Sequence, residues 1–275
     1  MVDHLQLGKH TEYVSVYTPS LLDPIPRAMA RAELAIKNES LPFAGVDIWT
    51  GYEISWLNGN GLPQQAIAVF SIPADSPNII ESKSFKLYLN SFNQTKFNTR
   101  SEVIAAMESD LSAAAGAPVL VDLEGLDQFA SVGVQRPRGI CIDHMDVEIE
   151  TYSPDANLLS ATGELVSETL YSDLLKSNCP VTAQPDWATL IISYRGTAIS
   201  QEGLLRYIVS YREHQDFHEN CVERIYSDIM AQCQPESLMV YARYTRRGGL
   251  DINPLRHSLG DSVDALDIAS RLVRQ

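Results

Sequence analysis

Thr99-Arg100-Ser101-Glu102-Val103-Ile104-Ala105-Ala106-Met107-Glu108-Ser109-Asp110-Leu111 decides how the chain is read. Thr99 followed three residues later by Glu102 is a capping box, in which a hydroxyl and a carboxylate satisfy the first free amides of a helix. Val103, Ile104, Met107 and Leu111 then fall on one helical face, until Gly116 and Pro118 break the run. The same order returns in the second half. Asp216-Phe217-His218-Glu219 has the capping-box form, the helix after it carries Val222, Ile225 and Ile229, and Ser109-Asp110-Leu111 is echoed by Ser227-Asp228-Ile229. A helix repeated with its flanks predicts an internal duplication.

Working outward, Glu81-Ser82-Lys83-Ser84-Phe85-Lys86-Leu87-Tyr88-Leu89-Asn90-Ser91-Phe92 precedes the first copy. Phe85, Leu89 and Phe92 form an amphipathic stripe, with Lys83 and Lys86 on another face. Gln201 to Tyr211 precedes the second copy, with Leu204, Leu205, Ile208 and Val209 on one face. β-branched and aromatic residues predict strands at Val46 to Leu57 and Ala66 to Ile72, split by the turn Asn58-Gly59-Asn60-Gly61, and again at Val119 to Leu123 and Met145 to Tyr152. Strands are also expected at Glu164 to Leu170, Trp187 to Tyr194 and Leu238 to Tyr244. The order is ββααββ twice. We expect an α+β protein of two tandem modules, residues 1–155 and 156–275, with antiparallel sheets and helices on one face. The first forty residues, with a helix-like patch at Ala28 to Ile36, are assigned a covering or oligomer-contact role.

A chain of 275 residues, 45% apolar and 20% charged, has material for a sizeable core. Its net charge of -14 argues against binding long nucleic acid through the overall field, and an anionic ligand would need a local concentration of basic residues. The four cysteines, at 141, 179, 221 and 233, show no structural-zinc spacing, and His214 with His218 lacks a third ligand, so no metal is expected. Met1-Val2-Asp3-His4-Leu5 has no basic region leading into an apolar core, and no apolar run approaches membrane-spanning length. The expectation is a cytoplasmic protein with reduced thiols and no membrane partner.

Ser177-Asn178-Cys179-Pro180-Val181-Thr182-Ala183-Gln184-Pro185-Asp186-Trp187 occurs only in the second module; its counterpart, Asn58 to Gln65, has no cysteine. Two prolines stiffen this loop. Cys179 reads as a nucleophile in a rigid polar loop or as a small core residue, and its position does not decide between them. Asp186 beside Trp187 reads as a desolvated proton donor or as a residue at a strand start. His218 and Glu219 open a helix, where Glu219 doubles as the third position of the capping box. Arg246-Arg247-Gly248-Gly249 follows a strand and pairs guanidinium groups with backbone that a ligand can approach closely, which suits phosphate. No G-x-G-x-x-G or G-x-x-x-x-G-K-[ST] occurs.

Taken together, Glu81-Ser82-Lys83-Ser84-Phe85-Lys86-Leu87-Tyr88, Ser177-Asn178-Cys179-Pro180 with Asp186, Phe217-His218-Glu219, and Tyr244-Thr245-Arg246-Arg247-Gly248-Gly249 resemble the NADPH-dependent 7-cyano-7-deazaguanine reductases, the nitrile reductases of queuosine biosynthesis, in their long two-module form. The likeness covers nearly the whole chain. It implies the tunnelling fold (T-fold), with sites at interfaces between units, and a homodimer. It further implies that Cys179 adds to the nitrile of 7-cyano-7-deazaguanine to give a covalent thioimide. Asp186 would donate the proton, and two molecules of NADPH would carry the reduction to 7-aminomethyl-7-deazaguanine. Ile80, Glu81, Ser82, His218 and Glu219 would bind the substrate, with Phe217 stacking on it. Ser82, Lys83, Arg247 and Gly248 would hold NADPH, with Lys86 and Arg246 less clearly placed. The other readings are a purine- or pterin-handling cyclohydrolase of the same fold, which stoichiometric zinc would favour, and a non-catalytic deazapurine-binding protein.

Overall fold

In the computed structural model, which describes residues 13–131, 133–260 and 271–275, Thr99 does open a helix: its hydroxyl accepts from the Glu102 amide at 3.2 Å. The Glu102 carboxylate reaches back to the amide of Asn98 at 2.9 Å. The helix ends at Gly116, whose left-handed φ of 74° closes the last turn on the Ser112 carbonyl. Val103, Met107 and Leu111 are fully buried.

The chain divides into two compact units. The first takes the described residues up to Ser40, with Val46–Gly133 and Arg246–Ile252; the second takes Leu41–Gly45, Val134–Thr245 and Asn253 onward. In chain order the elements of the first half are β1 (Pro24–Pro26), α1 (Ala28–Glu33), β2 (Ala44–Leu57), β3 (Pro63–Pro73), β4 (Asn78–Ile80), α2 (Ser82–Ser91), α3 (Arg100–Ala115), β5 (Leu120–Glu124) and α4 (Leu126–Ala130). Within the first unit, β3 lies between β2 and β5 with both neighbours antiparallel, and β1 pairs with β4 apart from them. The β2–β3 hairpin turns where expected, with the Asn58 side-chain carbonyl accepting from Asn60 and Leu62. Trp49, Ala68, Phe70 and Ile72 from the strands meet Phe85, Tyr88, Leu89 and Phe92 of α2 and the buried face of α3 in one apolar cluster. Tyr17, Leu21 and Leu22 pack against that cluster; the expectation for the first forty residues otherwise falls partly on residues 1–12, outside the described residues.

The second half contributes β6 (Val134–Gln135), β7 (Ile140–Cys141), β8 (Ala161–Asn178), β9 (Pro185–Ile199), α5 (Gln201–Ser210), α6 (His218–Cys233), β10 (Ser237–Tyr244), β11 (Leu250–His257) and β12 (Arg271–Leu272). In the second unit β8, β9, β10 and the later part of β11 run antiparallel in that order. Two short pairings, β7 with β8 and β6 with β12, are parallel, which the all-antiparallel expectation did not include. Leu204, Leu205 and Ile208 of α5 and Val222, Ile225 and Ile229 of α6 are buried as the spacing predicts. No described helix is long and apolar enough to cross a membrane.

Three expectations need correction. Met145 to Tyr152 forms no strand, although its alternating exposure follows the sequence pattern. Its backbone is met from the side instead: the Arg206 side chain donates to the Glu148 carbonyl and the Glu213 amide to the Tyr152 carbonyl. Strand β11 has no counterpart among the predicted elements, because Pro254 and the charged Asp251, Arg256 and His257 dilute its apolar pattern. The capping box at Asp216 is also absent. Phe217 occupies the N-cap of α6 with no side-chain cap, and Asp216 accepts from its neighbour Phe217 and from the Asn220 side chain.

Candidate active site

β8 and β9 are a long hairpin, and Cys179 is the first residue beyond the paired part of β8. Its amide donates to the Gln184 carbonyl at 2.9 Å, and its carbonyl accepts from Ala183 at 3.0 Å. Ala183 takes a left-handed φ of 54°, a conformation costly for a residue with a Cβ, so the tip is closed by a strained residue. Asn178 anchors the tip to the connection before α6: its amide donates to the His214 carbonyl, and its own carbonyl accepts from Asp216. Lys176 adds bonds to the Asn178 side chain at 2.7 Å and the Arg212 carbonyl at 2.6 Å. The backbone on either side of Cys179 is therefore fixed, as the two prolines suggested.

Position in the fold, not exposure, sets Cys179 apart from Cys221 and Cys233, which lie within α6. Burial pushes the Cys233 thiol up to about 11 and the Cys221 thiol higher still, so both stay neutral at neutral pH and are poor nucleophiles. Cys179 is 7% exposed, at the tip rather than inside a helix.

Asp186 lies on β9 opposite Ser177 of β8 and is 4% exposed. Successive strand residues face opposite sides, so the indole of Trp187 is not what desolvates it. Trp187 lies under the Arg212 guanidinium, 5.6 Å from the ring centre. Asp186 is met by His218, the first residue of α6, whose Nε2 is 3.4 Å from Asp186 Oδ2. The imidazole lies flat on the ring of Tyr244, with centroids 3.7 Å apart and planes 1° apart. Glu219 follows His218 and is 3% exposed. The second unit thus brings together Cys179, Asp186, His218 and Glu219 on one hairpin and one helix start. His214, paired with His218 by spacing, instead faces Asp216 at 3.6 Å. Among the described residues no group of three or more His, Cys, Asp or Glu is placed to hold a metal ion.

The first unit holds the other set. Ile80 ends β4, and Glu81 is the N-cap of α2, its carboxylate accepting from the amides of Lys83 at 2.9 Å and Ser84 at 2.7 Å. Glu81 is 1% exposed, and that burial raises its carboxyl above its usual 4.5 despite the two amide donors. Ser82 and Lys83 form the first turn of α2. One turn further on, Lys86 forms an ion pair with Glu53 of β2.

Glu53 links this helix to the turn between β10 and β11. Arg247 and Leu250 exchange backbone bonds, and Gly248 and Gly249 between them have φ of 58° and 79°. This two-residue turn needs positive φ at both central positions, which explains the paired glycines. A Cβ on Gly249 would also sit 2.5 Å from the Glu53 carboxyl carbon. Arg246 is drawn over the ring of Tyr52, 4.7 Å from its centre. Ser82, Lys83, Arg247 and Gly248 are therefore parts of one unit, with Lys86, Glu53, Tyr52 and Arg246 around them. The sequence offered no signal for Glu53 or Tyr52, because their role depends on a contact between distant segments.

Comparison with known proteins gives this arrangement its context. The family described as nitrile reductase, 7-cyano-7-deazaguanine-reductase N-term, matches residues 13–123, and the family described as QueF-like protein matches residues 185–261. A Dechloromonas aromatica protein named NADPH-dependent 7-cyano-7-deazaguanine reductase is 59% identical over 256 residues, 93% of this chain and 90% of that one. Proteins of the same name from Saccharophagus degradans and Bordetella pertussis are 54% and 55% identical, each across 98% of this chain and 99% and 97% of their own lengths. The chain belongs to the NADPH-dependent 7-cyano-7-deazaguanine reductase family. Glu81 to Lys86 lie in the first matched segment and Asp186, His218 and Arg247 in the second, while Cys179 falls between the two. Among solved structures, the archaeosine synthase QueF-Like in the apo form is 18% identical, with a TM-score of 0.32 over 37% of this chain and 99% of that one.

Proposed function

We propose that this protein reduces the nitrile of 7-cyano-7-deazaguanine to the primary amine with NADPH, a reading supported by relatives named NADPH-dependent 7-cyano-7-deazaguanine reductase. The observation that carries the reading is the Cys179–Asp186 hairpin tip, closed against His218 at 3.4 Å from Asp186, in a chain 59% identical to a reductase of that name.

A nitrile is a poor acceptor of hydride. Addition of the Cys179 sulfur to its carbon forms a C–S bond, and the nitrogen takes a proton, giving a thioimide that is easier to reduce. Asp186 is the proton donor, buried and faced by an imidazole that can hold or return the proton. After the first reduction the C–S bond breaks, releasing Cys179 and an imine. NADPH, when bound, supplies the hydride for each of the two reductions. The guanine-like edge of the substrate presents N–H donors, and Glu219 and Glu81 are carboxylate acceptors suited to it; Ile80 and Ser82 flank Glu81 in sequence and His218 flanks Glu219, and these are the further substrate-binding residues.

The cationic residues fit a phosphate-bearing cofactor. In a chain of net charge -14, Lys83 and Lys86 of α2 and Arg246 and Arg247 beside the glycine turn belong to one unit, and Gly248 has open space where a Cβ would stand. Ser82, Lys83, Arg247 and Gly248 would hold it. For the architecture, we infer the T-fold in two tandem modules, residues 1–155 and 156–275, working as a homodimer in the cytoplasm, with no nucleic-acid partner. The acidic charge, the echo between helices α3 and α6, and the family support this.

Following NADPH absorbance with limiting nitrile tests the reading. Two NADPH oxidised per nitrile are expected. No oxidation, or oxidation without amine product, would overturn it.

A further inference from the structure

We propose that Tyr244 is the positioning residue for His218, its ring serving as the platform that holds the imidazole over Asp186. The proposal rests on the reading that His218 and Asp186 serve nitrile reduction, and it adds a residue to that site. An imidazole is usually oriented by a hydrogen bond to the nitrogen that does not do the chemistry. Here Nε2 faces Asp186 at 3.4 Å, while Nδ1 is buried and has no hydrogen-bond partner among the described residues. Nothing at Nδ1 sets the plane of the ring. The Tyr244 face does, at 3.7 Å and 1° from parallel.

Tyr244 can do this because it is itself held rigidly. It ends β10 opposite Ala188 of β9 and is fully buried. Its amide donates to the Asn253 side chain at 3.1 Å, and its carbonyl accepts from the Gln275 side chain at 3.0 Å. The backbone of the platform is thus tied to β9 and to two side chains. Its hydroxyl lies near Ser177 and Cys221, without a hydrogen bond of good geometry. Burial holds that phenol neutral at any working pH. The ring, not the hydroxyl, is therefore the working part.

The assignment separates two variants. Tyr244→Phe keeps the ring and is expected to retain turnover close to the wild type. Tyr244→Leu removes it, and release of the imidazole from its plane is expected to lower kcat/KM for the nitrile by about 10²-fold, the scale of an ångström misplacement of a reacting group. NMR of the imidazole protons, with the His218 signals identified by their loss in His218→Gln, reads the stack directly. Upfield ring-current shifts are expected in the wild type and in Tyr244→Phe, and their loss is expected in Tyr244→Leu.

Ordinary His218 shifts in the wild type would overturn the proposal, as would a Phe variant as impaired as the Leu variant is expected to be. The wild-type spectrum and the Phe variant decide the matter even if the Leu variant does not fold. Absence of wild-type turnover with the upfield shift intact would overturn the functional reading and uphold the stacking assignment, so the two failures are distinct.

Discussion

Asp186 and Glu81 are both buried carboxyl groups, and their surroundings set them to different tasks. Asp186 faces an imidazole from the next layer, whereas Glu81 spends its carboxylate on the amides of its own helix. Asp186→Asn keeps the shape and removes the proton, so turnover is expected to fall by about 10²- to 10⁴-fold, the usual weight of a general acid, with folding unchanged by circular dichroism. For Glu81 the raised folded value means that the protonated form is favoured by folding. That contribution is fully present below the unfolded value near 4.5 and is lost as pH rises through the folded one. The melting temperature of Glu81→Gln relative to wild type should therefore move in favour of the variant as pH rises from below the unfolded value near 4.5 through the folded one, on the protonation linkage alone. A difference that moves the other way would mean that the amide donors outweigh burial. Cys179 was legible as a residue apart from the other cysteines, since its loop is polar and stiffened by Pro180 and Pro185, but its anchoring through Asn178 to His214 and Asp216 was not. Those are backbone bonds between segments far apart in sequence, and no side-chain pattern records them.

At the scale of elements, both helical pairs and most strands were readable because their patterns are local. Phe85, Leu89 and Phe92 are spaced for a buried stripe, and Thr99 with Glu102 is spaced for a cap. Met145 to Tyr152 failed for the opposite reason. Alternation describes which side chains face inward, and it carries no information on whether a neighbouring strand is there to complete the ladder. Gly248 and Gly249 suit a phosphate cradle and a two-residue hairpin turn alike, because close backbone approach and positive φ call for the same residue. Gly249→Ala forces a Cβ into the Glu53 carboxylate at a φ of 79°. The expected result is a raised KM for NADPH with kcat less affected, since the turn reshapes cofactor contacts and leaves the Cys179 hairpin alone. An unchanged KM would remove the turn from the cofactor site.

For the whole molecule, the proposed duplication has a physical trace beyond the sequence echo. Asp110 on α3 accepts from the Tyr88 hydroxyl of α2 at 2.8 Å, and Asp228 on α6 accepts from the Tyr207 hydroxyl of α5 at 2.6 Å. The same tyrosine–aspartate tie joins α2 to α3 and α5 to α6. Asp110→Ala takes the acceptor from the Tyr88 and Tyr17 hydroxyls, and Asp228→Ala leaves the Tyr207 hydroxyl only its bond with Tyr211, so each is expected to cost about 1–3 kcal/mol in denaturant unfolding. A cost confined to one unit would weaken the case for equivalent modules.

Covalent capture of the nitrile by Cys179 is read from the intact mass of the chain after incubation with 7-cyano-7-deazaguanine in the absence of NADPH. The wild-type chain is expected to gain the mass of one nitrile molecule and Cys179→Ala to gain nothing. A wild-type chain of unchanged mass, or the same gain in the alanine variant, would contradict it.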